Sequence, residues 1–231
     1  MIVDLVIPAL DEERALPLVL ADLPRHAIRQ IVVVDNGSTD GTAAVAASHG
    51  CRVVAEPRRG YGSACLAGLA ALASTVPPPD VVAFVDADHS DHSEELIQLL
   101  LPIESGEADL VVGSRAAGRA ERGALLPQQR AGNRVAAHLI RALYGVRVTD
   151  LGPFRAIRWP SLVALGMEDR GYGWTAEMQV KAIRRGLRYR EVPVSYRRRL
   201  GRSKIAGTWR GTIGAGWKIV ITILRFSRGS S

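Results

Sequence analysis

The sequence predicts an α/β fold with a mainly parallel central sheet and helices on both faces. Three observations carry this. Short apolar, β-rich runs alternate with segments of helical spacing along the first half of the chain, the pattern of successive βαβ units. The runs IVVV (31–34) and DVVAFV (80–85) are apolar almost throughout, which suits strands covered on both faces. Polar and acidic residues gather just after several of these runs, where open parallel sheets bind their ligands.

The elements follow in order. Residues 2–7 form a first strand that runs into Pro8, and Leu16, Val19, Leu20 and Leu23 then fall at helical spacing. A second strand at 31–34 is ended by DNGSTDGT, and an alanine-rich helix at 42–48 leads to a third strand at 52–55. The small residues of 62–73 predict a helix that packs closely. A fourth strand at 81–85, a helix at 94–101 and a fifth strand at 110–112 complete the regular part. After Gly113 the rhythm loosens. Residues 116–129 read as a polar loop, 130–143 as a helix, 146–157 as extended and 176–185 as a helix. Residues 188–196 read as a strand whose Pro193 suits a sheet edge. No repeat and no linker divides the chain, so 1–231 is expected to be a single domain.

With 231 residues, 47% of them hydrophobic, the chain can build one large core. Its formal charge of +7 favours anionic partners. Nucleic acid is not expected among them, because the few aromatic residues do not interleave with the basic run at 197–204 as stacking platforms would. Cys51 and Cys65 suggest neither a disulfide framework nor a thiolate metal site, which suits a reducing cytosol. The opening MIVDLVIPAL lacks a basic stretch and carries Asp4 inside its apolar run, so it reads as a strand and not as a signal peptide.

The chemistry gathers at the strand ends. Strand one runs into Asp11-Glu12-Glu13, strand two into Asp35-Asn36-Gly37-Ser38, strand four into Asp86-Ala87-Asp88 and strand five into Gly113-Ser114-Arg115. Ser38, Asp40 and Asp91 are good N-cap residues, and capping is the expected role of Asp40 and Asp91. Asp86 and Asp88 are different. In an extended segment residues i and i+2 point to one side, so both carboxylates face one spot. That arrangement suits a hard divalent cation, Mg2+ or Mn2+, shared with the oxygens of a diphosphate. A zinc site built from these aspartates with His89 and His92 is the weaker reading, since structural zinc takes a closed set of nitrogen or sulfur ligands.

The segments PALDEE, VVVDNGSTDGT, RRGYGSACLAGL, FVDADHSDHSEEL, VVGSR and GYGWTAEMQVKA follow one another in this chain. In that order they resemble family 2 glycosyltransferases, most closely the bacterial relatives of dolichyl-phosphate mannose and glucose synthases. The resemblance runs from Val3 to about residue 218. It implies a GT-A fold, a UDP- or GDP-hexose donor, a divalent metal and inversion at the anomeric carbon. It also implies a nucleotide-sugar-binding half (1–115), an acceptor-binding half (116–207) and a C-terminal amphipathic helix (208–231). Position by position, Pro8, Leu10 and Glu12 would line the nucleotide pocket and Asp35 would reach the base. Gly60 would let backbone approach the nucleotide, Asp86 would mark the ribose and metal side, and Asp88 would be the principal metal ligand. Where the synthases carry Gln two residues after the second Asp, this chain has Ser90.

The resemblance also implies anion-gathering roles for Arg115, Arg130, Arg134, Arg202 and Lys204, the last two on a glycine-flanked loop (201–207) suited to closing over the donor. For Arg197–Arg199 the reading is a solvated basic surface. A phosphate monoester acceptor is already anionic and needs only positioning and charge neutralisation. A hydroxyl acceptor needs a general base, and Glu177 is the candidate; Glu177 could equally organise the acceptor arginines. The expected reaction is hexose transfer to a polyprenyl phosphate at the cytoplasmic face of a membrane. At 208–226, Ile213, Trp217, Val220 and Leu224 share a helical stripe with basic residues alongside. That helix either packs on the domain or lies in a membrane interface. It is too short in its apolar run to span a bilayer.

Overall fold

Among the described residues seven strands, β1 (Val3–Ala9), β2 (Gln30–Asp35), β3 (Arg52–Ala55), β4 (Val81–Phe84), β5 (Leu110–Ala120), β6 (Arg155–Arg158) and β7 (Tyr189–Tyr196), form one sheet in the order β3-β2-β1-β4-β6-β5-β7. The computed structural model describes residues 1–201 and 209–227. β1 pairs parallel with β2 and with β4, β2 with β3, and β5 with β7. β6 enters between β4 and β5 antiparallel to both. The sheet is therefore mainly parallel, as the sequence predicts, and β7 with its Pro193 lies at an edge.

Helices cover both faces. α1 (Leu16–Asp22), α2 (Thr42–Ser48) and α4 (Leu96–Glu104) bury Leu16, Leu20, Ala46, Leu99 and Ile103 against Leu5, Ile7, Val33 and Ala83. α3 (Tyr61–Ala73), α6 (Trp159–Leu165) and α7 (Trp174–Arg184) bury Cys65, Leu72, Leu162 and Met178 against Val6, Val32, Val34 and Phe84. Neighbouring strand residues thus serve opposite faces, which is why the runs are apolar without alternation. α3 sits so close to the sheet that a methyl group added at Gly68 would come within 2.6 Å of Val6. Here the small residues of the helix have a direct packing reason. α5 (Pro127–Tyr144) and α8 (Trp209–Ser227) form a third cluster with α7 through Ala136, Ile140, Val180 and Ile223.

Two stretches differ from expectation. The polar segment after Gly113 is not a loop at first: β5 continues to Ala120 because it resumes pairing with β7 after an irregularity between Ser114 and Arg119. Of the stretch 146–157 only residues 155–157 join the sheet, in a strand that ends at Arg158, and the following WPSLVAL forms α6. Proline in its first turn and Gly166 in the left-handed conformation at its end bracket that helix.

Candidate active site

From β1 the chain passes to β2 and β3 on one side, and β4 lies on the other. Beyond the carboxyl ends of strands at such a switch point a crevice opens. It holds a cavity of about 300 Å3 lined by Pro8 at the end of β1, by Leu10 and Glu12 just after it, and by Asp86 and Asp88 after β4. Gly60, Tyr61, Tyr172 and Arg199 close its other walls.

The β1–α1 turn is held by its neighbour. Asp11 has φ of 50°, a left-handed conformation that Asp and Asn tolerate better than most residues. Its carboxylate accepts the Thr39 N–H at 2.7 Å, while the Asp11 and Glu12 N–H groups donate to the Ser38 and Thr42 hydroxyls. Asp35 does not line the cavity; its carboxylate accepts the Ser38 N–H. Asn36, the first residue after β2, is in the wall instead. It donates to the carbonyls of Glu56 and Arg58 and accepts the Gly60 N–H at 2.8 Å, fixing the loop before α3. The N-cap of α2 is Gly41 and not Asp40, which lies one residue before it and accepts the Thr42 N–H at 3.0 Å.

Gly60 lies at φ of 141°, and a methyl group there would meet the Arg170 carbonyl; at Gly62 it would meet the Asp169 carbonyl. These glycines admit the backbone of the 168–173 turn, and the Gly62 and Ser63 N–H groups bond to it. Glu177 holds the same turn from behind. It is 1% exposed, accepts the Glu168 and Asp169 N–H groups, and pairs with Lys181 at 2.7 Å. It lines neither this cavity nor the one described next. Its carboxylate is taken up by the turn that carries Tyr172 and by Lys181.

Asp86 and Asp88 line the crevice, and Asp91 is buried close to them. One oxygen of Asp86 and both oxygens of Asp91 are buried without a hydrogen-bond partner. Capping therefore does not explain Asp91, whose oxygens meet no helix N–H. Burial, reinforced by the Asp88 charge, lifts the Asp86 carboxyl to about 7. Burial, with Asp86 and Asp88 adding to it, also pushes Asp91 up. Asp88 is engaged on both oxygens. One accepts the Ser90 N–H at 2.9 Å and the Ser90 hydroxyl; the other lies 3.3 Å from the Arg199 guanidinium, which also meets Glu12 at 3.1 Å. Arg199 is thus a wall of the site, not part of a solvated basic face. His89 joins Asp22 and Arg197, and His92 joins Glu94, so neither histidine is aimed at the aspartates. Among the described residues no three His, Cys, Asp or Glu side chains form a ready metal cage. Asp86 and Asp88 nevertheless suit an oxygen-ligated cation that takes most of its ligands from elsewhere. Buried oxygens without partners and a cationic side chain already drawn between Glu12 and Asp88 both mark a demand for positive charge.

A second, larger cavity of about 540 Å3 lies between β5, α5 and α8, lined by Arg115, Arg130, Arg134, Asn133, Gln129 and Ile219 among others. Arg115 is clamped by Asp150 through its Nε (2.9 Å), Nη2 (2.7 Å) and backbone N–H (2.7 Å), and it lies 5.1 Å from the Tyr196 ring centroid. Burial works against the Arg115 charge, but the Asp150 carboxylate more than reverses this. The charge reaches Asp86 and Asp91 as well, linking the two cavities. Asp150 is the one acidic residue lining this cavity among the described residues, and Arg115 occupies both its oxygens. Arg202 and Lys204 lie outside the described residues.

The arrangement defines an α/β protein with an acidic crevice at the carboxyl ends of its strands and a second, basic cavity. Residues 4–162 match the family described as Glycosyl transferase family 2, and the chain belongs to that family of enzymes. It is 43% identical over 223 residues to an uncharacterised glycosyltransferase of Mycobacterium tuberculosis, covering 94% of this chain and 97% of that one. It is 34% identical over 221 residues to the undecaprenyl-phosphate mannosyltransferase of Micrococcus luteus, covering 87% and 86%. Its fold matches glucosyl-3-phosphoglycerate synthase from Mycobacterium tuberculosis, solved with Mn2+, UDP and glucosyl-3-phosphoglycerate, with a TM-score of 0.76. The sequences are 23% identical, covering 100% of this chain and 81% of that one. The GT-A fold expected from the sequence is the fold found.

Proposed function

We propose that the protein moves a hexose from a nucleoside diphosphate sugar to a polyprenyl phosphate, with Mg2+ or Mn2+ at Asp86 and Asp88. The observation that carries the acceptor is the chemistry of the larger cavity: three arginines line it, and its one carboxylate among the described residues is committed to Arg115. Such a site has charge for a phosphate and no base to spare for a hydroxyl. The name of the Micrococcus luteus relative supports the same acceptor class.

In this mechanism Pro8, Leu10 and Tyr172 enclose the nucleotide, and Glu12 and Asn36 shape its loops. A divalent cation, when bound, would offset the charge of the leaving diphosphate. Arg115, held rigid by Asp150, and Arg130 orient the acceptor phosphate so that its own oxygen attacks the anomeric carbon from the face opposite the diphosphate, with inversion. Glu177 serves by fixing the turn that bears Tyr172.

α8 suits work at a membrane. Ile223 is buried, whereas Trp217 is 65% and Ile221 42% exposed. One face therefore packs on the domain and the other offers an apolar stripe. The same helix lines the basic cavity through Gly216 and Ile219. Lys218 and Arg225 lie near Asp169 and Glu168, so the apolar stripe outweighs charge in this reading. Among the described residues no helix is long and apolar enough to cross a membrane. The test is a panel of UDP- and GDP-hexoses with Mn2+, with and without polyprenyl phosphate in detergent. Lipid-linked sugar from one donor is the expected product. Donor turnover that ignores the lipid phosphate would move the acceptor to a hydroxyl compound.

A further inference from the structure

We propose that Arg199 is a built-in stand-in for the cation of the donor crevice, a positioning residue that must leave Asp88 before the crevice can be loaded. This rests on the donor-site reading above and adds to it an order of events. The Arg199 guanidinium reaches Glu12 Oε1 with one terminal nitrogen and Asp88 Oδ2 with the other. The remaining Asp88 oxygen is taken by Ser90. A divalent ion that takes Asp88 as ligand therefore competes with Arg199 for Oδ2, and two cations cannot share one carboxylate oxygen at contact distance without strong repulsion.

The chain is pinned on both sides of this residue. The Arg197 N–H donates to the Ser90 carbonyl at 2.9 Å and the Leu200 N–H to the Asp88 carbonyl at 3.0 Å. The Arg197 side chain is anchored to Asp22 and His89. The backbone at 199 thus stays against the aspartate loop while the side chain alone can swing. A guanidinium released there remains beside the cavity it lines, where a diphosphate is its natural next partner. Metal alone must break the Arg199–Asp88 contact and leaves the arginine only Glu12. Metal with a nucleoside diphosphate exchanges one anionic partner of the arginine for another. The arrangement predicts that cation and nucleotide help each other to bind, by the same factor in either order.

The experiment is calorimetric or spin-resonance titration of the full chain with Mn2+ alone, UDP or GDP alone, and both together, for the unaltered protein, Arg199→Gln, Arg199→Lys and Asp88→Asn. The unaltered protein should bind Mn2+ at least about fivefold more tightly when nucleotide is present. Arg199→Gln should bind Mn2+ alone at least about fivefold more tightly than the unaltered protein and lose most of the mutual enhancement. Arg199→Lys, which keeps a charge but not the fork, should fall between. Thermal melts establish that each variant is folded. Absence of mutual enhancement in the unaltered protein, or Mn2+ affinity unchanged or weakened in both folded Arg199 variants, overturns the proposal. Failure of the donor-site reading looks different: Mn2+ then does not bind even with nucleotide, or binds equally in Asp88→Asn, and the stand-in falls with it.

Discussion

Asp150→Asn is the most informative single substitution in the basic cavity. Asp150 is 1% exposed and bonds to Arg115 three times, at 2.7–2.9 Å. Breaking a buried pair costs about 3–5 kcal/mol because a charge is left uncompensated. Asn keeps one acceptor oxygen and Arg115 keeps some contact with its surroundings, so the expected cost falls below that range, at about 2–3 kcal/mol. For a chain of this size each kcal/mol moves the melting temperature by about 2–4 °C, giving a drop of about 4–12 °C at neutral pH. The pH dependence has a definite sign. Burial alone would raise the Asp150 carboxyl, but Arg115 overrides it and holds the folded value below the ordinary one. The stabilisation is therefore full above about pH 4, the unfolded value, and disappears as the pH falls through the depressed folded value. Thermal melts of both proteins from pH 3 to 8 read this directly. A shift under about 1 °C at pH 7, or a gap that widens in acid, would refute the reasoning.

Other expectations are as direct. Gly62→Ala places a methyl group against the Asp169 carbonyl and should lower stability by several kcal/mol while disordering the Tyr172 wall, measured as a lower melting temperature and weaker nucleotide binding. Asp91→Asn removes a buried carboxylate whose oxygens lack partners; without metal it should raise stability at neutral pH. That gain should be larger at pH 7 than at pH 4, because a raised folded value makes the charged form unfavourable as pH climbs. Equal melts at both pH values, or a loss at pH 7, would count against it. Trp217→Ser should leave the melting temperature within about 2 °C, as the side chain is 65% exposed, while reducing sedimentation with anionic lipid vesicles; unchanged sedimentation removes the membrane role of α8.

Much of this architecture was legible because its signals are local. Apolar runs of strand length bounded by turn residues located β1 to β4, and the bounds 52–55 and 42–48 coincide with β3 and α2. The paired aspartates after β4 were legible for the same reason: i and i+2 spacing is a property of a few residues. What was hidden depends on distant partners. Arg199 lies 187 residues from Glu12, and within the run Arg197–Arg199 nothing local distinguishes a site residue from a solvated one. The Arg115–Asp150 clamp and the burial of Asp91 likewise depend on the antiparallel entry of β6 and on the end of β7, which periodicity does not reveal. The sequence offers Glu177 either as a base or as an organiser of the acceptor arginines, and nothing local reveals that its carboxylate accepts the N–H groups of Glu168 and Asp169 in the 168–173 turn. The signal for α6 was present, since proline in the first turn and a following Gly166 bracket it, yet its seven residues are too short to show a helical period.

The central claim is that the crevice beyond β1 and β4 is a donor site whose chemistry depends on Asp88. The most direct measurement is transfer of labelled hexose to polyprenyl phosphate by the unaltered protein and by Asp88→Asn, at saturating Mn2+, with matched thermal melts. The account predicts a loss of at least about a hundredfold in turnover with the fold intact. Equal turnover in a folded Asp88→Asn protein would contradict it.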